Sequence, residues 1–379
     1  MPRFSYVDLF AGAGGWSVGF EGAGYEHVRM YDHNQSACAT AEANFGRIVE
    51  CADLSNPRKL SFPKVDVVVG SPPCQGFSNE GKKDPDDSRN SLVWAFLDIV
   101  EKIAPRAWIF ENVPGFQRSY GGKWFQQIAA RLNSSPYQWN HFILDAAAYG
   151  VPQHRKRFVI MASNEFRPTA PAPTHAASSG LFGEKPFVTL WDAIADLPAP
   201  VPGDREGTFP YSHSPTSEYQ DWARDRASAI FNHTAQRHSA RVLDKIMAVP
   251  VGGDMASFME NYAENAVHYM GGYRRAPKDR PSWTAYWTRG MTSIHPAQHR
   301  FLTPRECARI QSFPDRFRFH GSTIENYTQV CNAVPPLLAG AVAKALAAQL
   351  EQSQAKSSSC SLIGIRFSSV AGARPTSPL

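Results

Sequence analysis

The sequence predicts an α/β protein: a doubly wound, mostly parallel sheet joined to a second, smaller, loop-rich domain. Three observations carry that prediction. Short apolar runs alternate with amphipathic or alanine-rich segments through the first 163 residues, as parallel strands with crossover helices require. Glycines, carboxylates and a cysteine stand directly after the predicted strands, at the carboxyl ends where a doubly wound sheet binds its ligands. After Phe166 the texture changes to proline, serine and glycine, and then to a stretch poor in periodicity but rich in Trp, Tyr, His, Gly and Arg.

The elements follow in order. Residues 6–10 read as a first strand, closed by the glycine turn Ala11-Gly12-Ala13-Gly14-Gly15, with a helix beginning near Trp16. Residues 27–31 read as a second strand ending at Asp32, 36–45 as an alanine-rich helix and 48–51 as a short third strand. Residues 64–69 form a buried strand halted by Gly70-Ser71-Pro72-Pro73, 92–103 a helix and 107–110 a strand ending at Glu111. Segments 142–144 and 157–161 complete a set of about six or seven strands, an ordinary sheet size. Further on, 303–312 is helical, with Thr303 and Glu306 spaced as a capping box. Residues 339–350 form an alanine-rich helix, and 353–379 are a serine-rich segment expected to lack a packed structure.

Composition narrows the class. With 379 residues, 43% hydrophobic and 19% charged, the chain is globular and long enough for one large or two unequal domains. No stretch reaches the ~18 uninterrupted apolar residues that span a bilayer, and the first residues lack the apolar run of a signal peptide. No membrane association and a cytoplasmic location are therefore expected. The six cysteines contain no C-x-x-C pair and no histidine spacing suggestive of zinc, so no metal is expected. A net charge of +5 does not locate a nucleic-acid face, because residues 301–379 carry 8 basic against 4 acidic side chains while residues 164–300 carry 14 of each.

The candidate chemistry lies at the strand ends. A glycine turn containing Gly12 and Gly14 lets backbone approach a ligand, and Asp32 after the second strand is placed to accept hydrogen bonds from ribose hydroxyls, together suggesting a nucleoside-bearing cofactor. Asp53, after the third strand, could contact an adenine amino group or cap the next segment. Cys74 follows a buried strand in Gly70-Ser71-Pro72-Pro73-Cys74-Gln75, where two prolines stiffen the backbone that holds a prospective thiolate nucleophile; the alternative is an inert buried thiol. Glu111 in Glu111-Asn112-Val113-Pro114 could donate a proton from the same sheet edge, or be a salt-bridged cap. Gln153, Arg155 and Arg157 alternate along a predicted strand and so share one face, able to grip phosphate or a polarised carbonyl.

In this order the motifs resemble those of the DNA (cytosine-5)-methyltransferases of the bacterial restriction-modification type, over nearly the whole chain. Asp8-Leu9-Phe10-Ala11-Gly12-Ala13-Gly14-Gly15 is similar to the family's cofactor loop, and Pro72-Pro73-Cys74-Gln75 to its nucleophile motif. Glu111-Asn112-Val113 and Gln153-His154-Arg155-Lys156-Arg157 resemble the next two catalytic motifs. Residues 300–315 resemble the motif that supports the target-recognition domain, and Gln329-Val330-Cys331-Asn332-Ala333-Val334-Pro335-Pro336 the last one. The family usually has glycine where this chain has Cys331.

The resemblance implies the fold of S-adenosylmethionine-dependent methyltransferases. It implies methylation of cytosine C5 in a flipped base of duplex DNA, with S-adenosylhomocysteine as the other product. Cys74 would attack C6, Glu111 would protonate or hydrogen-bond N3, and Arg155 and Arg157 would hold the base carbonyl. Phe10 would stack on adenine, Asp32 hold the ribose and Asp53 the adenine amino group, with Pro72, Leu92 and Asn332 lining the pocket. Gln75, Ser78, Arg89 and Gln153 are expected at the DNA, the segment 77–90 reading as a lid. The expected division is a catalytic domain at 1–198, target recognition and hinge at 199–327, a return to the catalytic domain at 328–352, and a tail at 353–379. A monomer on DNA is expected, with a cognate restriction endonuclease acting separately. Alternatives are a tRNA cytosine-5 methyltransferase of the same fold, a nicotinamide-dependent oxidoreductase and a catalytically inactive DNA-binding protein.

Overall fold

A computed structural model describes residues 4–73, 91–179, 183–203, 208–225, 227–254, 273–288 and 290–368. Its centre is a seven-stranded sheet in the order β3-β2-β1-β4-β5-β7-β6. The strands are β1 (Ser5–Leu9), β2 (Glu26–Asp32), β3 (Val49–Cys51), β4 (Val67–Gly70), β5 (Ala107–Asn112), β6 (Gln138–Asp145) and β7 (Lys156–Ser163). The pairs β1–β2, β1–β4, β2–β3 and β4–β5 are parallel, and β7 runs antiparallel to both β5 and β6. The sheet is mostly parallel, as the alternating pattern predicts.

Successive side chains leave a strand on opposite faces, and here both faces are apolar. Tyr6, Val67, Val69, Ile109, Val159 and Met161 enter one core layer, and Val7, Val68, Trp108, Phe110, Phe158 and Ile160 enter the other. Helix α1 (Gly15–Gly22) covers the first layer, followed by α2 (Gln35–Phe45), which Asn34 caps by accepting a bond from the Ala37 amide. The second layer is covered by α3 (Ser91–Ile103) and α4 (Lys123–Asn133), whose Phe96, Ile99, Val100, Ile128 and Leu132 are buried there.

Beyond the sheet come α5 (Leu190–Ile194), α6 (Glu218–Arg224), α7 (Ala240–Ala248), α8 (Pro304–Ile310), α9 (Thr323–Asn332) and α10 (Pro336–Ser368). The capping box expected at Thr303 and Glu306 is present: Thr303 Oγ1 accepts from the Glu306 amide at 3.1 Å, and Glu306 Oε2 from the Thr303 amide at 2.7 Å. Among the described residues, 199–302 make isolated bridges rather than a sheet, and enclose a small core of Ile246, Val249, Tyr273, Ile294 and Phe301.

Helix α10 returns the chain to the sheet. Leu338, Val342, Leu346 and Leu350 join the first core layer, and Tyr25 donates its hydroxyl proton to the Ala343 carbonyl at 3.0 Å. At the crossing of α1 and α10 a side chain at Gly19 would lie 2.5 Å from the Gly340 nitrogen, so the two backbones touch. Within 323–356 an 18-residue stretch averages apolar enough to cross a membrane, but 67% of that stretch is buried in the protein. One expectation changes here. The expected unstructured tail from 353 instead continues α10 to Ser368, because the Ser/Gln/Ala/Lys run contains no proline to stop a helix already nucleated by packing.

Candidate active site

The site is built where β1, β2, β4, β5 and β7 end or begin on one edge of the sheet. After β1 the chain turns at Phe10, whose φ is +55°, an αL conformation that a bulky residue adopts only where its surroundings enforce it. The Ala11 amide donates to the Tyr31 carbonyl at 3.0 Å and the Gly14 amide to the Ala11 carbonyl at 2.9 Å, closing the loop. A side chain at Gly14 would run into the Phe45 ring, whereas at Gly12 it would meet nothing within 4 Å. Gly12 therefore borders open space beside half-buried Phe10.

Asp32, at the end of β2, is fixed across this loop. Its Oδ2 accepts the Gly12 amide and its Oδ1 the Asn34 amide, each at 2.8 Å. Asp53 is exposed two residues beyond β3, and both its oxygens serve Ser55, accepting the amide at 2.8 Å and the hydroxyl at 2.9 Å. Those bonds hold its carboxyl below the usual range. Of its two sequence readings, the capped turn describes these contacts.

The turn after β4 is braced from three sides. The Ser71 amide donates to the Leu9 carbonyl at 3.3 Å, Trp16 Nε1 donates to Ser71 Oγ at 2.9 Å, and Asn112 Nδ2 donates to the Pro72 carbonyl at 3.2 Å. Sequence reasoning missed Trp16, Ser71 and Asn112 as supports; only the position of Asn112, directly after Glu111, hinted at one. Cys74, Gln75, Ser78 and Arg89, with the expected lid, lie outside the described residues. Leu92 is partly exposed on the first turn of α3, and Asn332 is exposed at the last position of α9.

Glu111 is the penultimate residue of β5 and is 6% exposed. Its Oε1 lies 2.9 Å from Nε of Arg157, the second residue of β7. Arg155 behaves differently. Strand β7 begins only at Lys156, so the expected shared face of Gln153, Arg155 and Arg157 does not exist. Arg155 is 2% exposed and donates to the carbonyls of Cys331 at 2.6 Å, Ala333 at 3.2 Å and Ala285 at 3.5 Å. Gln153, expected at the DNA, is an internal bridge: its amide donates to the Ile310 carbonyl and accepts the Ala285 amide, each at 2.9 Å. Tyr-Gly-Val-Pro at 149–152 leaves a 3-10 turn just before, Gln153 bridges to Ser282, and the side chains of Gln153 and Arg155 are both buried. Cys331 is buried in the cluster formed by Cys307, Tyr327 and Val330.

Asp8, on β1 two residues before Phe10, is a buried carboxylate hidden from sequence reasoning by its apolar neighbours. It is fully buried, its Oδ2 accepts the Ser17 hydroxyl at 2.7 Å, and its Oδ1 has no hydrogen-bond partner. Burial pushes its carboxyl up to about 7, against the opposing pull of Ser17.

The segment 300–315 is held by buried arginines. Arg300 grips Glu306 through two bonds of 2.7 and 2.6 Å. Arg309 grips Asp315 through bonds of 2.7 and 2.6 Å, and reaches Asp196 Oδ1 at 3.1 Å. Burial alone would raise the Asp315 carboxyl; Arg309 outweighs it and holds the group below its usual range. His295 stands 3.7 Å from Glu306, but burial pushes it down to about 4, so it is neutral near pH 7.

Residues 4–348 match the family described as C-5 cytosine-specific DNA methylase. The chain is 31% identical to the Type II methyltransferase M.AgeI of Thalassovita gelatinovora, covering 90% of this chain and 98% of that protein. It is 34% identical to the Type II methyltransferase M1.HphI of Haemophilus parahaemolyticus, over 90% of this chain and 86% of that one. Among solved structures, a prophage-encoded DNA modification methyltransferase from E. coli superposes with a TM-score of 0.72 at 25% identity, covering 92% of this chain and 99% of the other. A match over more than nine-tenths of the chain, on a sheet whose edge carries Glu111 and Arg157 as a pair, leaves one assignment: the chain belongs to the C-5 cytosine-specific DNA methylase family.

Proposed function

We propose that this chain methylates C5 of a cytosine flipped out of duplex DNA, using S-adenosylmethionine and a covalent adduct between Cys74 and C6. The observation that carries the reading is the Glu111–Arg157 pair, held in a buried corner beside the Pro72–Pro73 turn that leads to Cys74. The described cofactor residues fit a nucleoside: Gly12 borders open space, Asp32 is fixed beside it with lone pairs to spare, and Phe10 offers a ring at the mouth. Phe10, Asp32 and Asn332 would hold the group, with Pro72 and Leu92 lining its pocket. Bound there, S-adenosylmethionine supplies a methyl group on a sulfonium.

The protein's residues prepare the base to receive it. C5 of cytosine is a weak nucleophile, and addition of the Cys74 thiolate to C6 turns the ring into an enamine with electron density at C5. Glu111 would hold a proton at N3, drawing charge away from C6 as the C–S bond forms. Arg157 would orient Glu111 and neutralise the carbonyl oxygen at C2. After methylation a base removes the C5 proton, the C5–C6 double bond re-forms and the thiolate leaves. Extruding the base costs a few kcal/mol, offset by contacts in the pocket.

We assign residues 199–327 to target recognition, and infer a monomeric, cytoplasmic enzyme bound to duplex DNA. The Type II relatives suggest a separate endonuclease that cuts the same sequence when it is unmethylated. The test is transfer of label from S-adenosylmethionine to duplex DNA and to tRNA. Labelled DNA with a Cys74→Ser variant that transfers nothing supports the reading, and labelled tRNA with unlabelled DNA overturns it.

A further inference from the structure

Two adjacent arginines in the segment after residue 272 meet opposite fates. Arg275 is 3% exposed and donates to four carbonyls: Val249 at 2.7 Å, His295 and Gln298 at 2.9 Å, and Ile246 at 2.6 Å. It staples the small core around Ile246 and Phe301, and so fixes the backbone of its neighbour. Arg274 accepts the Ile294 amide at 2.7 Å through its own carbonyl, and its side chain, 43% exposed, points the other way.

That side chain is held in place without being consumed. Its guanidinium stacks 5.0 Å from the centre of the Trp283 ring, and its Nε lies 3.9 Å from Asp254 Oδ2. Among the described residues, Nη1 and Nη2 make no hydrogen bond. Trp283 is fixed in turn by its neighbours: Ser282 donates its amide to the Pro152 carbonyl at 2.9 Å and accepts the His154 amide at 2.8 Å, and Thr284 Oγ1 donates to the His154 carbonyl at 2.8 Å. Residues 152–154 run directly into Arg157 and its pairing with Glu111. The Nη1 and Nη2 fork of Arg274, without a hydrogen bond among the described residues, thus stands on a platform tied to residues 152–154, three residues before Arg157.

A planar fork with two parallel donors matches the O6 and N7 acceptors that guanine alone presents in the major groove. We propose that Arg274 reads a guanine of the target sequence by a bidentate contact to that edge, with Trp283 and Asp254 setting its direction. A phosphate contact is the competing use of an exposed arginine, and it predicts a different outcome because it carries no sequence information. The inference rests on the proposed action on duplex DNA.

The experiment is base-resolution mapping of methylation by the purified full chain on a randomised duplex library, followed by rates on the preferred site with each guanine replaced in turn by 7-deazaguanine. Arg274→Ala is expected to lower the rate at the preferred site on the order of ten- to a hundredfold. It should also relax the requirement for guanine at one position only. At that same position 7-deazaguanine should slow the wild-type enzyme and leave the variant unchanged. Arg274→Ala that weakens all sequences equally, or changes nothing, overturns the inference, as does a wild-type enzyme indifferent to 7-deazaguanine throughout. Wild-type methylation of DNA in those cases preserves the proposed function, whereas no methylation of any duplex overturns both.

Discussion

Arg157 Nε lies 2.9 Å from Glu111 Oε1, with the two side chains 12% and 7% exposed. A pair so enclosed loses far more when one partner is deleted than it contributes when whole, because the survivor keeps a buried charge. Arg157→Ala is expected to destabilise the fold by about 3 kcal/mol and to abolish transfer. Glu111→Gln keeps the shape but removes the charge that Arg157 faces, so it should lower the melting temperature and, in the protein that remains folded, cost about 100-fold or more in single-turnover rate. Equal rates for Glu111→Gln and wild type in a methyl-transfer assay would remove Glu111 from the chemistry.

Arg155 should separate from Arg157 in the same assays. Its bonds to the carbonyls of Cys331 and Ala333 tie the approach to β7 to the end of α9. Arg155→Met leaves those carbonyls unpaired, at about 1–3 kcal/mol per buried group. Calorimetry should show a melting temperature lower by several degrees, and the residual transfer rate should track the folded fraction. A large loss of rate at unchanged melting temperature would instead place Arg155 against the base.

The Arg309–Asp315 pair is a structural clamp. Both side chains are fully buried, and Asp196 and Tyr211 complete the network. Asp315→Asn is expected to cost about 3–5 kcal/mol, seen as a shift in the urea midpoint with little change in slope.

Asp8 gives the stability curve a component of unusual sign. Its carboxyl is pushed up to about 7 in the fold, against an ordinary value near 3.8, so folding favours the protonated acid. The resulting stabilisation is fully present below about 4 and is lost as pH rises through 7, amounting to a few kcal/mol. Asp8→Asn removes this component, and the difference in stability between variant and wild type should rise from pH 4 to pH 7 and then level off. Denaturant titrations at four pH values measure it, and a flat difference would show that the acid is ionised throughout.

The sheet was legible because its strands are apolar on both faces, and residues such as Val67, Val68 and Val69 announce that directly. The ends of those strands were legible as chemistry, since a glycine turn and acids after strands have few other uses there. What sequence could not show is direction. Gln153 and Arg155 share a spacing with Arg157, yet the chain just before the strand pairs with Ser282 and both side chains are buried. Asp8 sits among apolar residues like any strand position, and only the burial of its neighbours reveals a carboxyl without solvent. The supports of the Pro72 turn come from Trp16 and Asn112, distant in sequence, and no local pattern links them.

The hydrogen bond from Tyr25 to the Ala343 carbonyl joins residues 318 positions apart. A ribosome adding about 5–20 residues per second leaves α1 without its covering helix for on the order of tens of seconds. During that time the apolar layer around Tyr6, Phe20 and Val69 waits for Leu338, Val342, Leu346 and Leu350 of α10. An abbreviated translation product would lack this lid on its sheet and expose a sticky surface. The host therefore gains a competent DNA-modifying protein only after α10 has been made.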